Sequence, residues 1–369
     1  MNILLSIAFV GAWSSGFIGA KLGAGSASTV TLLMWRFLPL AIVLGVVALT
    51  ATRASWRGLG PRDLLRQAVV GALSQSGYLL TVYYAIELGV SSGTTALIDG
   101  TQPLVSGALA GPLLGMAVSR TQWLGLGLGV AGVAVVTSAD AGAAAGVAWW
   151  AYLVPFLGML CLVAATFLDR RSRADVRPMV SMTIHAVTSA LVFTVLAAVT
   201  GGLTPPADGS FWTAVVWLVV LSTFGGYGLY WLILRRSGVT KVNTLMFLMA
   251  PVTAVWGALM FGEPFGTQTV AGLALGLLAV AVVHRGDNGD HGDRENRGNR
   301  ENRGDLDAAG APGAPDDLVD LGDCPGRRRP PAAAGTLTPR RSAWHRARSS
   351  SRRSTRPVPA TPTAGSGKG

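Results

Sequence analysis

The sequence is poor in charge and in cysteine. Only 13% of its 369 residues are charged, whereas 50% are apolar and 48 are glycine. A soluble domain carries about 25% charged residues, so this composition excludes an ordinary globular enzyme. The two cysteines, Cys161 in an apolar run and Cys324 far along the chain, supply neither a disulfide framework nor a metal site. No GxxxxGK[ST] phosphate-binding loop occurs, and we therefore expect no ATP hydrolysis, cofactor or metal.

The formal charge of +11 is divided unequally along the chain. Residues 286–369 hold 15 of the 30 lysines and arginines but no Phe, Tyr, Ile or Met. Such a segment cannot bury enough apolar surface to offset its chain entropy, so we predict a disordered tail rich in arginine and proline. The residues before it are far too apolar for a basic nucleic-acid-binding module, and no nucleic-acid partner is expected.

Ten apolar runs divide the chain before this tail, and most of them are long enough to cross a bilayer. A membrane helix needs about 20 mostly apolar residues, and its backbone groups must be hydrogen-bonded within the segment. The predicted spans are residues 3–22, 29–50, 67–86, 90–114, 122–138, 147–167, 179–200, 211–234, 242–262 and 268–284. The sequence thus predicts an all-α membrane protein that has the lipid bilayer as a partner.

Charge alternates between the connections of these spans. Twelve basic residues lie in the connections after spans 2, 4, 6 and 8, and the other connections have none apart from Lys21 at the end of span 1. Those other connections carry Glu87, Asp140, Asp208 and Glu263 instead. Because basic connections remain in the cytoplasm, we expect a multi-pass protein of the cell membrane with both termini and the tail in the cytoplasm.

The second half of the chain repeats the first. Gly77-Tyr78 recurs 149 residues later as Gly226-Tyr227, and Pro103 recurs 148 residues later as Pro251. Three further pairs keep the same order with offsets of 146–149 residues, which indicates a duplication. Each copy contains five spans, an odd number, so the second copy must enter the membrane from the opposite face.

This duplication defines the predicted domains. Residues 1–140 and 141–285 are two inverted five-helix repeats, and residues 286–369 are the disordered cytoplasmic tail. Inverted repeats of this kind are typical of secondary transporters, in which the substrate path lies where the two halves meet.

Short motifs in both copies resemble the drug/metabolite transporter superfamily, in its ten-helix, EamA-type branch. The resemblance covers about residues 3–285. It is carried by Trp13-Ser14-Ser15-Gly16-Phe17, Arg36-Phe37, Tyr84-Ala85, Gly89-Val90-Ser91-Ser92, Pro103, Trp123-Leu124-Gly125, Pro251 and Gly262-Glu263. The chain departs from the pattern at Gly115-Met116, where the second copy has a glutamate, and at Cys161, where the first copy has Trp13.

The resemblance implies a secondary transporter that moves small metabolites such as amino acids without ATP hydrolysis. We expect a small-molecule substrate, export by alternating access, and protons as a candidate coupling ion. A membrane scaffold or receptor without transport activity is the alternative, because the basic tail could recruit anionic lipid or a partner protein.

Asp99 and Arg36 are the ionisable residues deepest in the predicted spans. Asp99 lies about nine residues into span 4, about 13 Å from the span's start, and Arg36 lies at a similar depth in span 2. An ionisable side chain at such a depth must face a cavity or a partner. Two interpretations are open: a structural Arg36–Asp99 pair, or an Asp99 that takes up a proton or a substrate ammonium.

Other polar and aromatic side chains lie near this depth. Pro103 frees a backbone carbonyl in span 4, as Pro251 does in span 9, and a simple packing kink is the alternative in both. The predicted substrate-binding residues are Trp13, Ser14, Ser15, Arg36, Tyr78, Asp99, Gln102 and Tyr227.

Glycines recur at short spacing in span 5 and in span 10. Small residues allow helices to approach closely, so these glycines indicate either internal packing or a homodimer contact. An intramembrane protease is not expected. His185 has no serine partner motif, and Asp99 lacks the second buried carboxylate that an aspartyl protease needs.

Overall fold

The computed structural model describes residues 3–50, 53–114, 119–143, 146–170, 176–283 and 285. Within these ranges the chain is helical, and its only β-type pairing is an isolated bridge between Ala24 and Ala27. The all-α prediction is confirmed for this part of the chain. The predicted tail and the Gly115-Met116 motif lie outside the described residues.

Ten helices, with a short helical turn at Arg53–Trp56 between the second and the third, follow one another in the described residues. The first half forms α1 (Ile3–Gly23), α2 (Thr29–Thr50), α3 (Pro61–Glu87), α4 in two pieces (Ser92–Gly100 and Gln102–Leu114) and α5 (Arg120–Ala143). The second half forms α6 (Trp149–Asp169), α7 (Pro178–Thr200), the continuous α8 (Gly209–Trp217, Leu218–Tyr227 and Gly228–Met246), α9 (Met249–Phe261) and α10 (Thr267–Val283).

Seven of these helices are long and apolar enough to cross a membrane. α9 and α10 are shorter apolar helices, and α4 is divided, so a complete crossing by each of the ten segments stays a prediction.

One predicted boundary is wrong. The connection expected at residues 235–241 is helical, and the helix ends only at Met246. Arg235 and Arg236 are exposed on the surface of α8 instead of marking its end. Long basic side chains can reach polar surroundings from within a helix, so a change in hydropathy does not require a break in the backbone.

Both copies interrupt a helix just before the repeated proline. In α4 the interruption is Thr101, two residues before Pro103, and in the second copy it is Phe247–Leu248, three residues before Pro251. Proline cannot donate a backbone hydrogen bond and clashes with the preceding turn. The predicted irregularity is therefore present in both halves.

The two halves pack against each other in a reciprocal way. α1 packs on α8, and its counterpart α6 packs on α3. α2 packs on its own counterpart α7, and α4 packs on its counterpart α9. Such exchanged pairings are what two copies related by a pseudo-two-fold axis produce.

Glycines bring α5 and α10 together inside the molecule. A Cβ atom added to Gly132 would lie 2.7 Å from the Gly272 carbonyl oxygen and 3.0 Å from the Gly276 nitrogen. One added to Gly125 would lie 2.2 Å from the Val283 side chain. The glycine faces are thus used for internal packing, whereas the homodimer stays untested.

The four acidic residues that the sequence assigned to the odd-numbered connections bind backbone N–H groups where helices begin. Glu87 accepts from the Thr29 nitrogen at 3.0 Å, and Asp208 caps α8 by accepting from the Ser210 nitrogen at 3.1 Å. Asp140 and Glu263 accept from residues at the start of α4, as described below. Carboxylates stabilise helix N-termini by satisfying free N–H groups and by interacting with the helix dipole.

Candidate functional site

A cavity of about 60 Å³ lies among α1, α2, α3 and α8. Three helices of the first half and one helix of the second half therefore contribute its lining residues. The volume is sufficient for a few water molecules or for one small polar group. Its lining residues are Trp13, Gly16, Phe17, Arg36, Ser74, Tyr78, Leu79, Val82, Tyr83, Ser222 and Tyr227.

The repeat places related side chains on two walls of this cavity. Tyr78 of α3 and Tyr227 of α8 are separated by 149 residues and both line it. A π-helical stretch precedes Tyr78 at Ala72–Gly77, and a second one, Leu218–Tyr227, ends at Tyr227. Such stretches shift the side chains that follow them and often occur at functional sites. In both copies a π-helical stretch thus lies directly at the tyrosine that lines the cavity.

Arg36 enters the cavity from α2 and is only 4% exposed. Its Nη1 donates to the Tyr83 hydroxyl at 2.5 Å, and its Nη2 donates to Thr223 Oγ1 at 3.2 Å and to Ser222 Oγ at 3.4 Å. Its guanidinium also lies 5.5 Å from the ring centre of Phe37, within the range of a cation–π contact. The Nε atom is buried and has no hydrogen-bond partner.

Asp99 is buried in α4 and is hydrogen-bonded to a cavity residue. The Tyr78 hydroxyl donates to its Oδ2 at 2.8 Å, and its Oδ1 has no partner. Among the described residues, no ion pair joins Asp99 to Arg36. The structural pair that the sequence allowed is thus not formed, because the two side chains have different neutral partners.

Trp13 forms an aromatic wall with residues of α8. Its ring centre lies 5.5 Å from that of Tyr227 in an edge-on arrangement and 6.0 Å from that of Tyr230. Such offset contacts stabilise a rigid aromatic surface. The wall can accept the apolar part of a ligand while Arg36 and Tyr78 present polar groups to the same space.

Four predicted site residues do not line this cavity: Asp99, described above, and Ser14, Ser15 and Gln102. Ser14 and Ser15 are fully buried, and their hydroxyls donate to the Met249 and Ala12 carbonyl oxygens at 3.3 and 2.6 Å. Gln102 is half-buried where the second piece of α4 begins. Neighbouring residues on a helix point about 100° apart, so Trp13 faces the cavity, whereas Ser14 bonds to α9 and Ser15 bonds to its own helix.

Sequence reasoning missed Tyr83, Ser222 and Ser74. Tyr83 lies one turn beyond Leu79 on the cavity face of α3, a position that the 3.6-residue period could have suggested. Ser74 and Thr223 are 149 residues apart, so the repeat itself marked them as a related pair. Ser222 carries no such signal, and only the packing of α8 on α1 brings it to Arg36.

The two copies differ at the position of Arg36. His185 follows it by 149 residues and lies in α7, the counterpart of α2. The His185 Nε2 atom is 3.0 Å from Gln67 Oε1, and Gln67 Nε2 donates to Asp169 at 3.4 Å. His185 is not a lining residue of the cavity. The duplicated scaffold therefore keeps a strongly basic cavity group in only one half.

A polar cluster joins α1, the start of α4, the end of α5 and the connection after α9, away from this cavity. Glu263 accepts from the Ser92 nitrogen at 2.9 and 3.0 Å and from the Ser92 hydroxyl at 2.6 Å, and Lys21 Nζ lies 3.4 Å from Glu263 Oε1. Asp140 accepts from the Ser91 nitrogen at 3.0 Å. The hydrogen bonds of this cluster stabilise the N-terminal end of α4. In the part of the chain that the structure describes, no group of three His, Cys, Asp or Glu side chains could hold a metal ion.

The sequence profile of the EamA-like transporter family matches residues 1–138 and 149–285. The two matches agree with the duplication seen in the helix order and in the reciprocal packing.

Several proteins have similar sequences. A probable terminal-alkyne amino-acid exporter of Streptantibioticus cattleyicolor is 25% identical over 279 residues, which are 74% of this chain and 90% of the exporter. The uncharacterized inner membrane transporter YedA of Escherichia coli K12 is 24% identical over 273 residues, 73% of this chain and 86% of YedA. A solved crystal structure with 21% sequence identity covers 76% of this chain and 95% of its own, with a TM-score of 0.51, and shows a shared fold.

Proposed function

The chain belongs to the EamA-like transporter family, and on this premise we propose that it is a secondary active transporter that exports a small organic metabolite by alternating access. It is a multi-pass membrane protein, in agreement with its apolar helices and its relatives. One relative is named as an amino-acid exporter, which supports an amino acid or a similar molecule as the substrate.

The polar cavity between the two halves carries this proposal. Tyr78 and Tyr227 reach it from repeat-related helices, and Trp13 and Arg36 complete it from α1 and α2. In alternating access the two halves rock about a fixed central site, so the site must contain residues of both. This cavity meets that requirement.

The same proposal includes the domain limits and the topology expected from the sequence. Residues 1–140 and 141–285 are the two repeats, residues 286–369 are the tail, and both termini face the cytoplasm. The near absence of basic residues supports a non-cytoplasmic location for the odd-numbered connections. The contacts of Glu87 with Thr29 and of Glu263 with Ser92 support a location on one shared side.

Trp13, Arg36, Tyr78 and Tyr227 contact the substrate in this proposal, and Asp99 serves the transport cycle through Tyr78. Asp99 lies one hydrogen bond behind the cavity, and its Oδ1 is free to accept a proton or an ammonium hydrogen. Ser14, Ser15 and Gln102 do not line the cavity, so the proposal assigns them no direct contact with the substrate.

Substrate counterflow in proteoliposomes tests the function. The purified protein is reconstituted with an internal excess of each unlabelled L-amino acid, and entry of the same labelled amino acid is followed. We expect transient accumulation for at least one of them.

A bulky side chain at position 16 should block the cavity. A Cβ atom added to Gly16 would lie only 2.9 Å from Ser222 Oγ, so Gly16→Leu should prevent substrate from entering.

Gly11→Leu is the matched control. Gly11 lies on the same helix, and a Cβ there would meet no atom within 4 Å. Accumulation should therefore survive in Gly11→Leu and be lost in Gly16→Leu. Equal flux in both variants, or no accumulation with any solute, would contradict the proposal.

A further inference from the structure

Arg36 is the only charged residue among those that line the cavity. Its guanidinium is 4% exposed and touches three hydroxyl groups, all of them neutral. In the part of the chain that the structure describes, the one ion pair joins Lys21 and Glu263 and does not include Arg36. The positive charge of Arg36 is therefore buried without a paired anion.

An unpaired buried charge is costly. Removal of an ion from water without a partner costs several kcal/mol, of which neutral hydrogen bonds return only a part. Charged residues inside a membrane protein face a cavity or a partner for this reason. The Arg36 Nε atom is buried and still lacks an acceptor. The site thus has both an unbalanced charge and an unused donor.

Asp99 does not supply the missing anion. Its Oδ2 accepts the Tyr78 hydroxyl, and the carboxylate does not line the cavity. Tyr78 lies between them: it lines the cavity and donates its hydroxyl hydrogen to Asp99. A mobile anion that enters the cavity can therefore reach Arg36 without competition from Asp99.

Given the proposed transport function, we infer that Arg36 is the receptor for a single carboxylate of the substrate. One guanidinium balances one negative charge, and its planar fork matches the two oxygens of a carboxylate. The Tyr83 and Ser222 hydroxyls stand beside the fork, and the wall formed by Trp13 and Tyr227 contacts the apolar part of the molecule. The site selects monocarboxylates over the corresponding amides.

Ligand-induced thermal stabilisation of the purified full-length protein tests this inference. The probes are two acid–amide pairs: L-valine with L-valinamide, and isovalerate with isovaleramide. Within each pair only the carboxylate changes. We expect both acids to raise the unfolding temperature and the amides to bind at least about tenfold more weakly, since a hydrogen bond to a charged group contributes that much.

Arginine variants show whether Arg36 causes the selectivity. Arg36→Gln should remove the difference between acid and amide. Arg62→Gln removes the same charge from an exposed position at the start of α3 and should behave as the unmodified protein. Arg36→Lys keeps the positive charge but lacks the planar fork, so both acids should bind more weakly while a preference for acid over amide remains, and this readout is available even if Arg36→Gln does not fold.

The outcomes separate this inference from the proposed function. Amides that bind as well as acids, acid preference that persists in a folded Arg36→Gln protein, or no stabilisation by either acid would overturn the carboxylate receptor. Counterflow of a solute without a carboxylate would then still support transport. Absence of counterflow with every solute, together with acid-selective binding, would instead overturn transport and retain the receptor.

Discussion

At the scale of single residues, hydroxyl groups separate the charges of the bundle interior. Asp99 is bonded to Tyr78, and Arg36 is bonded to Tyr83, Ser222 and Thr223. A direct pair would hold both charges in one fixed geometry. Neutral partners leave each group able to exchange its contact for a ligand or a proton, which suits a site that must release what it binds.

Substitution of Asp99 tests its part in the cycle. Asp99→Asn retains an oxygen that can accept from Tyr78 and removes only the charge. We expect flux in proteoliposomes to be abolished while the protein stays folded, because neither a proton nor an ammonium can then be held. The matched control Asp63→Asn changes a carboxylate at the start of α3 that accepts from the Gly60 nitrogen. Unchanged flux in Asp99→Asn would remove Asp99 from the mechanism.

At the scale of helices, glycines and acidic caps determine how the elements meet. Gly132 allows α5 to approach the backbone of α10, whereas Gly127 of the same helix is exposed and a Cβ atom added there would meet no atom within 4 Å. Acidic residues of the odd-numbered connections accept hydrogen bonds from the first backbone N–H groups of α2, α4 and α8. These acidic residues therefore stabilise helix starts, in addition to lying in connections that lack basic residues.

The two glycines of α5 make a matched pair for stability measurements. Gly132→Ala should lower the free energy of unfolding by about 1–3 kcal/mol, because the new methyl group overlaps the Gly272 carbonyl. Gly127→Ala should be neutral or stabilising by up to about 1 kcal/mol, because alanine favours the helix. Thermal unfolding in detergent gives both values. Equal effects of the two substitutions would contradict the α5–α10 contact.

The cap of α8 predicts a dependence of stability on pH. Hydrogen bonds from Ser210, and one from Ser26, lower the pKa of the exposed Asp208 carboxyl. A lowered pKa in the folded state means that the stabilisation is present above the unfolded pKa and is lost as the pH falls through the folded one. Asp208→Ala should therefore lower the unfolding temperature at neutral pH, and the difference should narrow below about pH 4. A difference independent of pH would show that the charge plays no part.

At the scale of the whole molecule, exchanged helix pairs join the two halves. α1 meets α8 as α6 meets α3, and α2 and α4 each meet their own counterpart. The cavity lies at one of these junctions, where the first half supplies Arg36 and the second half supplies Ser222. A movement of one half relative to the other would change the distance between these two groups.

Accessibility labelling tests the inverted topology. In a variant with Cys161 and Cys324 replaced by serine, single cysteines are placed at Arg57 and Phe265, both of which are exposed. Phe265 lies in the same connection as Glu263, whose capping role is thereby preserved. A membrane-impermeant thiol reagent added to intact cells should label position 265 and leave position 57 unlabelled. Labelling of both from one side would exclude the inverted repeat.

Deletion of residues 288–369 tests the division between the repeats and the tail. The family match ends at residue 285, so the shortened chain contains both matched regions. We expect counterflow at the same rate as in the full chain, with equal amounts of protein reconstituted. Loss of flux from a shortened protein that still folds would assign the tail a part in transport.

The sequence by itself determined the helical class, the duplication and the family, because long apolar runs, repeats at offsets of 146–149 residues and short motifs can all be recognised from the order of the residues alone. It also marked Trp13, Arg36, Tyr78 and Tyr227, which the structure brings to one cavity. Only the tertiary structure decided that Arg36 bonds to Tyr83 and Ser222, 47 and 186 residues away, and that Ser14 bonds to Met249 instead of lining the cavity. Hydropathy reports how a span is solvated as a whole, whereas these contacts depend on the rotation of each helix about its axis. That rotation is set by packing against the other half.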